Sequence, residues 1–292
     1  VKFTDEGIKA IIRGYTGEAG VRKLEQLVSA VIRKVATKVA GDSDYPKQTI
    51  KESNVSEYLG IEKYTKDTQI EKNQVGSATG LAWTSVGGVT LTIEVAVMKG
   101  KGNLLLTGKL GDVMKESAHA AVSFIRSRAS QLGIAHDFYK TKDIHLHFPE
   151  GAVPKDGPSA GITITTALVS ALTGIAVKSS VAMTGEVTLR GRVLPIGGLK
   201  EKTMAAYLVG AKQVIIPQRN VSDLDEVETV VKENIEFVPV SDVMKVLETA
   251  LVRMPGGEAP RKKKNAPVED KSVAARDYVQ GGETVNYNNV QF

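Results

Sequence analysis

Apolar residues recur at helical spacing early in the chain. Val21, Leu24, Leu27, Val28, Val31, Ile32, Val35 and Val39 form one stripe, which predicts an amphipathic helix over about 19–39. Thr4, followed by Asp5 and Glu6, marks the start of an earlier short helix. Gly41 and the polar run 42–47 end the long helix, 49–51 reads as a short strand, and Asn54 is placed to cap a last small helix ending at Gly60. Residues 1–60 thus read as a small helical lobe, too small to bury much core unaided.

A polar stretch at 61–76, with Lys63, Lys66, Asp67, Glu71 and Lys72, suits a solvated linker. Beyond it the pattern mixes two periods. Strand-like runs fall at 89–97, 104–106, 144–148 and 181–184, and helix-like runs at 113–132, 160–172, 199–209 and 243–252. That mixture over 77–253 predicts an α/β or α+β domain with one core. Gly87-Gly88 and Gly100-Lys101-Gly102-Asn103 read as hairpin turns, and Trp83 with Leu81 as core or interface packing. No apolar period survives at 254–292, which reads as a flexible tail carrying the basic run Arg261-Lys262-Lys263-Lys264.

Composition removes several classes. The net charge of +5 over 292 residues is small, so a nucleic-acid partner is not required. The absence of cysteine excludes disulfides, thiolate metal sites and a cysteine nucleophile, and fits a reducing compartment. The chain begins at Val1 without a basic-then-apolar leader, which reads as a fragment or processed product lacking a secretory signal. The most apolar stretch, 161–177, is broken by Thr163, Thr165, Thr166, Ser170, Thr173 and Gly174 and is too short and polar for a membrane span.

Two stretches carry candidate chemistry. In Pro154-Lys155-Asp156-Gly157-Pro158-Ser159-Ala160-Gly161, two prolines and a glycine set a tight turn, with Ser159 at or just before the start of an apolar helix. Free N–H groups there suit a developing oxyanion. The plain alternative is that Ser159 only caps the helix. In Leu194-Pro195-Ile196-Gly197-Gly198-Leu199-Lys200-Glu201-Lys202, helical geometry separates two lysines. Leu199, Lys202, Ala206 and Val209 fall in one arc, with Lys200 nearly opposite. Lys202 therefore runs along an apolar face, where a lysine ordinarily snorkels to the surface.

Taken together, a serine and a lysine can form a nucleophile and its base, provided the lysine is neutral. At an ordinary pKa, roughly one lysine in 2,500 is neutral at pH 7. Desolvation on an apolar face shifts the balance in the required direction, and a nearby cation such as Lys200 would add to it.

The serine and lysine stretches, with Met183-Thr184-Gly185-Glu186 between them, resemble the Lon protease family, most closely its bacterial A type. The likeness extends through Gly80-Leu81-Ala82-Trp83-Thr84, Thr92-Ile93-Glu94 and Thr107-Gly108-Lys109-Leu110-Gly111, covering about 1–253. It implies a serine–lysine endopeptidase domain behind the small helical lobe of an AAA+ ATPase. Ser159 would be the nucleophile, Lys202 the general base and Thr184 the hydroxyl that holds it. Asp156 and Glu94 would be carboxylates tied to the inactive and active arrangements, and Arg22 the arginine that senses nucleotide phosphate. The resemblance further implies a cytoplasmic hexamer, degrading unfolded or degron-bearing proteins and dependent on ATP and Mg when complete. Peptide-bond chemistry itself would need no cofactor or metal. The chain departs from the complete pattern in lacking a Gly-x4-Gly-Lys-Ser/Thr motif, so it cannot hydrolyse ATP by a P-loop route.

Competing readings are a non-catalytic assembly fragment and weak DNA binding through the lobe's lysines. His145 and His147 share one strand face and, with Asp156, raise a serine–histidine–aspartate triad or part of a zinc site; otherwise they are structural or solvent-facing.

Overall fold

The computed structural model describes residues 1–18, 20–42, 44–64, 72–84, 87–149 and 155–256. The tail from 257, Ala19, Pro154 and residues 65–71 of the linker lie outside the described residues.

The N-terminal part is built from β1 (Lys2–Phe3), α1 (Asp5–Tyr15), α2 (Arg22–Gly41), β2 (Thr49–Ile50) and α3 (Val55–Leu59). Thr4 caps α1, its hydroxyl accepting from the Gly7 N–H at 3.1 Å. β1 and β2 form a two-stranded parallel pair, so the lobe is helical with one small sheet element. Asn54 occupies the N-cap position of α3 but makes no side-chain cap bond. Its side chain accepts from Lys51 N–H at 2.8 Å and donates to the Thr49 carbonyl at 3.1 Å, fixing the turn ahead of that helix. Ile11, Tyr15, Val31, Val35, Ile50, Val55 and Tyr58 share one buried cluster, so residues 50–58 pack with the lobe.

The larger part follows with β3 (Ser77–Thr84), β4 (Gly87–Lys99), β5 (Leu104–Thr107), α4 (Asp112–Ser127), α5 (Phe138–Thr141), β6 (Lys142–His147) and α6 (Gly161–Thr173). It continues with β7 (Val181–Met183), β8 (Glu186–Val187), β9 (Val193–Leu194), α7 (Leu199–Leu208), β10 (Gln213–Pro217), α8 (Thr229–Asn234), β11 (Glu236–Val240) and α9 (Val243–Ala250). Seven strands make one mixed sheet in the order β11-β10-β7-β3-β4-β6-β5. Because β6 lies between β4 and β5, residues 100–103 are not a hairpin turn. They wrap the Asp143 carboxylate, which accepts from the N–H groups of Lys101, Gly102 and Asn103.

Alternation along the central strands covers both faces. Val181, Met183 and Ile215 point into the core that contains α4, α6 and α9, while Ala182, Val214 and Ile216 join Leu199, Ala206 and Val231 on the other face. α6 is buried from Gly161 through Ser170. Thr165 and Thr166 donate within the helix to the carbonyls of Gly161 and Ile162, each at 2.8 Å, while Thr163 and Ser170 donate outside it to the carbonyls of Met183 and Ile175. No helix among the described residues is long and apolar enough to cross a membrane.

α7 lies on β3 and β4 because Gly88 leaves room. A Cβ on Gly88 would stand 1.9 Å from the Glu201 carbonyl oxygen. Gly88→Ala is therefore expected to push α7 off the sheet and lower the unfolding free energy by about 1–3 kcal/mol. Urea denaturation followed by circular dichroism measures it, and an unchanged midpoint would refute the close-approach account.

Candidate active site

Ser159 sits in a 3-10 turn at Pro158–Ala160, immediately before α6. It is not the cap of that helix: Ala160 occupies the cap position and no side-chain cap bond is made. Among the described residues the Ser159 hydroxyl has no hydrogen-bond partner, whereas its carbonyl accepts from Gly185 N–H at 2.8 Å. The turn is thus held by backbone and its hydroxyl is left available.

Two further links fix the turn. Lys155 N–H donates to the Lys109 carbonyl at 3.1 Å, and Gly111 N–H to the Lys155 carbonyl at 2.8 Å. Asp156 Oδ1 then accepts from Met114 N–H at 3.1 Å and from Gly157 N–H at 2.9 Å. A carboxylate from 42 residues away therefore caps the start of α4, where partial positive charge favours it. Gly111 permits this approach, since a Cβ there would stand 2.2 Å from Asp156 Cγ.

Lys202 lies on the buried face of α7 with Leu199, Thr203, Ala205 and Ala206. It is only 2% exposed, so the amine has not snorkelled to water. Its Nζ donates to Thr184 Oγ1 at 3.3 Å, and the Thr184 hydroxyl donates to the Ser159 carbonyl at 3.4 Å. Thr184 is fully buried just past the end of β7. Burial away from water lowers the Lys202 pKa from 10.5 to about 8. Roughly a tenth of the amine is then neutral at pH 7, some two hundred times the ordinary fraction. Lys200 takes no part in that shift. It turns outward and pairs with Glu228 at 3.2 Å.

Ser159 and Lys202 line one cleft of ≈ 400 Å³ with Ala82, Trp83, Asp156 and the 195–197 segment. Trp83, read as core or interface packing, is not in the core: it is 60% exposed and lines the cleft. Sequence reasoning also missed Asn220, which is 3% exposed and holds that segment from 24 residues away. A single asparagine with a distant partner leaves no periodic signal.

The structure does not bring the other candidates into the cleft. Glu94 is exposed on β4, in register with Ser77 and His147. Arg22 is exposed at the start of α2 and lines a separate cleft of ≈ 430 Å³ with Glu25, Gln26, Ser29 and Arg33. His145 Nε2 and His147 Nδ1 both meet the Thr107 hydroxyl, at 2.9 and 2.7 Å. With Asp156 committed to α4 and both imidazoles on Thr107, no Ser–His–Asp triad forms among the described residues. Among the described residues no cluster of three His, Asp or Glu is arranged to hold a metal ion.

Comparison with known proteins shows the family. Residues 49–253 match the Lon protease (S16) C-terminal proteolytic domain, and residues 1–48 match the Lon protease AAA+ ATPase lid domain. The chain belongs to the Lon protease family. It is 54% identical over 260 residues to the Lon protease of Chloroflexus aggregans, covering 87% of this chain and 32% of that protein. Against the Bacillus thuringiensis Lon protease it is 57% identical over 252 residues, covering 86% and 32% respectively. The Vibrio parahaemolyticus Lon protease is 53% identical over 257 residues, covering 88% and 33%. The chain thus spans about a third of the length of these relatives.

The shifted amine has a consequence for stability. Between pH 8 and 10.5 the unfolded chain binds a proton at Lys202 that the folded chain does not, so stability rises with pH across that window. Lys202→Met is expected to stabilise the fold at pH 7 by up to about 3 kcal/mol, an advantage that fades by pH 10.5. Denaturant titrations at pH 7 and 10.5 measure the difference. An equal effect at both values would show that the amine is not desolvated.

Proposed function

We propose that this chain is the serine–lysine endopeptidase portion of an ATP-dependent protease, with Ser159 as nucleophile and Lys202 as general base. The observation that carries the reading is a buried amine with a lowered pKa, sharing a cleft with a serine hydroxyl that makes no hydrogen bond. Neutral Lys202 takes the proton as Ser159 Oγ attacks the peptide carbonyl, then gives it to the leaving amine. Water hydrolyses the resulting ester. Thr184 is assigned to positioning the amine. Catalytic hydrogen bonds commonly tighten only when substrate is bound, so the present absence of a Ser159–Lys202 bond fits a resting site.

Oxyanion support falls to few groups. The N–H groups of Gly157, Gly161 and Ile162 are already taken, by Asp156, Pro158 and Gly185, and Pro158 has none. The Ala160 N–H closes the 3-10 turn, so the Ser159 N–H is the donor that remains at this turn. Asp156 is assigned to holding the turn in its resting form. Glu94 is assigned to an active arrangement in which it meets the site.

At the scale of the whole enzyme, the reading is a lobe at 1–60, a linker at 61–76, the proteolytic unit at 77–253 and a tail at 254–292. Arg22 and Arg33 present guanidinium groups on an open cleft, chemistry suited to phosphate oxygens. Arg22 would contact bound nucleotide, with the remaining ATP and Mg contacts coming from segments beyond this chain. The substrates are unfolded, damaged or degron-bearing proteins, the assembly is a cytoplasmic homohexamer, and peptide-bond cleavage needs no metal. No observation favours the non-catalytic or DNA-binding alternatives.

Ser159→Ala and Lys202→Gln are each expected to abolish cleavage of a fluorogenic peptide, by at least about a thousandfold in kcat/KM, while Lys200→Gln stays near the parent. In the parent, kcat/KM is expected to rise with pH to a plateau with a midpoint near 8. Turnover retained in Ser159→Ala, or equal losses at the two lysines, would defeat the assignment.

A further inference from the structure

One wall of the cleft has no regular structure. It runs through Pro195, Ile196 and Gly197, between the end of β9 and the start of α7. A Cβ on Gly197 would meet nothing within 4 Å, so the wall is not held by packing at that point. A segment ending in two glycines is conformationally permissive and needs another restraint if it is to keep one shape.

That restraint is a single buried amide. Asn220, in the 3-10 segment Gln218–Glu226, accepts from Ile196 N–H at 3.0 Å and donates to the Ile196 carbonyl at 2.8 Å. Both backbone polar groups of Ile196 are thus satisfied by one side chain, which copies the pairing of a neighbouring strand. The second Nδ2 hydrogen goes to Asp223 Oδ2 at 2.6 Å, so the amide is fixed from its far side as well. Deleting the amide would leave two backbone groups unpaired in a site that is 97% shielded at Asn220 itself, an arrangement that costs more than the bonds alone return.

We infer that Asn220 is a positioning residue for peptide substrate: it holds residues 195–197 in the shape that accepts an extended chain beside Ser159. The inference rests on the reading of this cleft as a peptide site. Asn220 does not line the cleft, so it acts through Ile196. Lys202 itself is held by a different contact, its hydrogen bond to Thr184 on the buried face of α7.

Binding is read without chemistry in a Ser159→Ala background, by fluorescence anisotropy of a fluorescein-labelled unstructured decapeptide rich in Leu and Phe. Adding Asn220→Ala is expected to weaken binding about tenfold or more and to speed amide hydrogen exchange at Ile196. With Ser159 intact, the same substitution is expected to raise KM about tenfold, change kcat by less than about threefold and leave the pH midpoint near 8. Binding and KM within twofold of the parent, or a fall in kcat alone in proportion to the folded fraction, would overturn the inference. Should Asn220→Ala fail to fold, Asn220→Asp keeps the size and the acceptor but loses the donor, and unchanged affinity in that variant overturns it equally. A parent that binds the decapeptide but does not cleave it removes the catalytic reading and leaves the clamp tested. A Ser159→Ala chain with no affinity at all removes both.

Discussion

The energetic centre of this molecule is an amine that has been taken out of water. Lys202 is carried by a helix that the sheet can hold close only because Gly88 has no side chain. The apolar neighbours that bury it also lower its pKa, and Thr184 gives it one hydrogen bond in place of a hydration shell. A charged lysine there is a liability to the fold. The fold tolerates it because one site among many contacts can be unfavourable while the rest of the core remains well packed.

The serine turn depends on the opposite strategy. Apart from Ala160, which is buried in the core, its links are backbone hydrogen bonds and a carboxylate. Asp156 binds the turn to the start of α4, Gly185 binds it to the strand-end that also carries Thr184, and the Lys109–Gly111 stretch zips along Lys155. Such polar anchoring can rearrange by exchanging partners without opening a cavity, whereas the lysine side of the cleft cannot. The cleft therefore has one adjustable wall and one fixed wall.

What could be read from the chain follows the range of the forces involved. The face on which Lys202 lies was legible because helical periodicity is local, and the buried and exposed lysines separate as the 100° step requires. The strands at 89–97, 104–106, 144–148 and 181–184 were legible from their β-rich runs. Long-range pairing was not. Nothing between Lys99 and Leu104 reveals that β6 inserts between β4 and β5, so a wrapped loop read as a hairpin turn. β10 and β11 pass as unremarkable apolar runs until the parallel register joins them. On position alone Ser159 was ambiguous between cap and nucleophile because both want a hydroxyl before a helix; in the structure Ala160 holds the cap position. Asn220 and the Asp156 cap were invisible for the same reason: each acts across tens of residues.

The two lysines of α7 also set the tolerance of the gene to its commonest conservative exchange. At 200 an arginine would simply take over the partnership with Glu228 at the surface. At 202 the same exchange would drive a wider, permanently ionised group into a compartment sized for an amine able to shed its proton. Two codons apart, one replacement is inconsequential and the other is intolerable, so drift along this helix is constrained by interior dielectric rather than by charge.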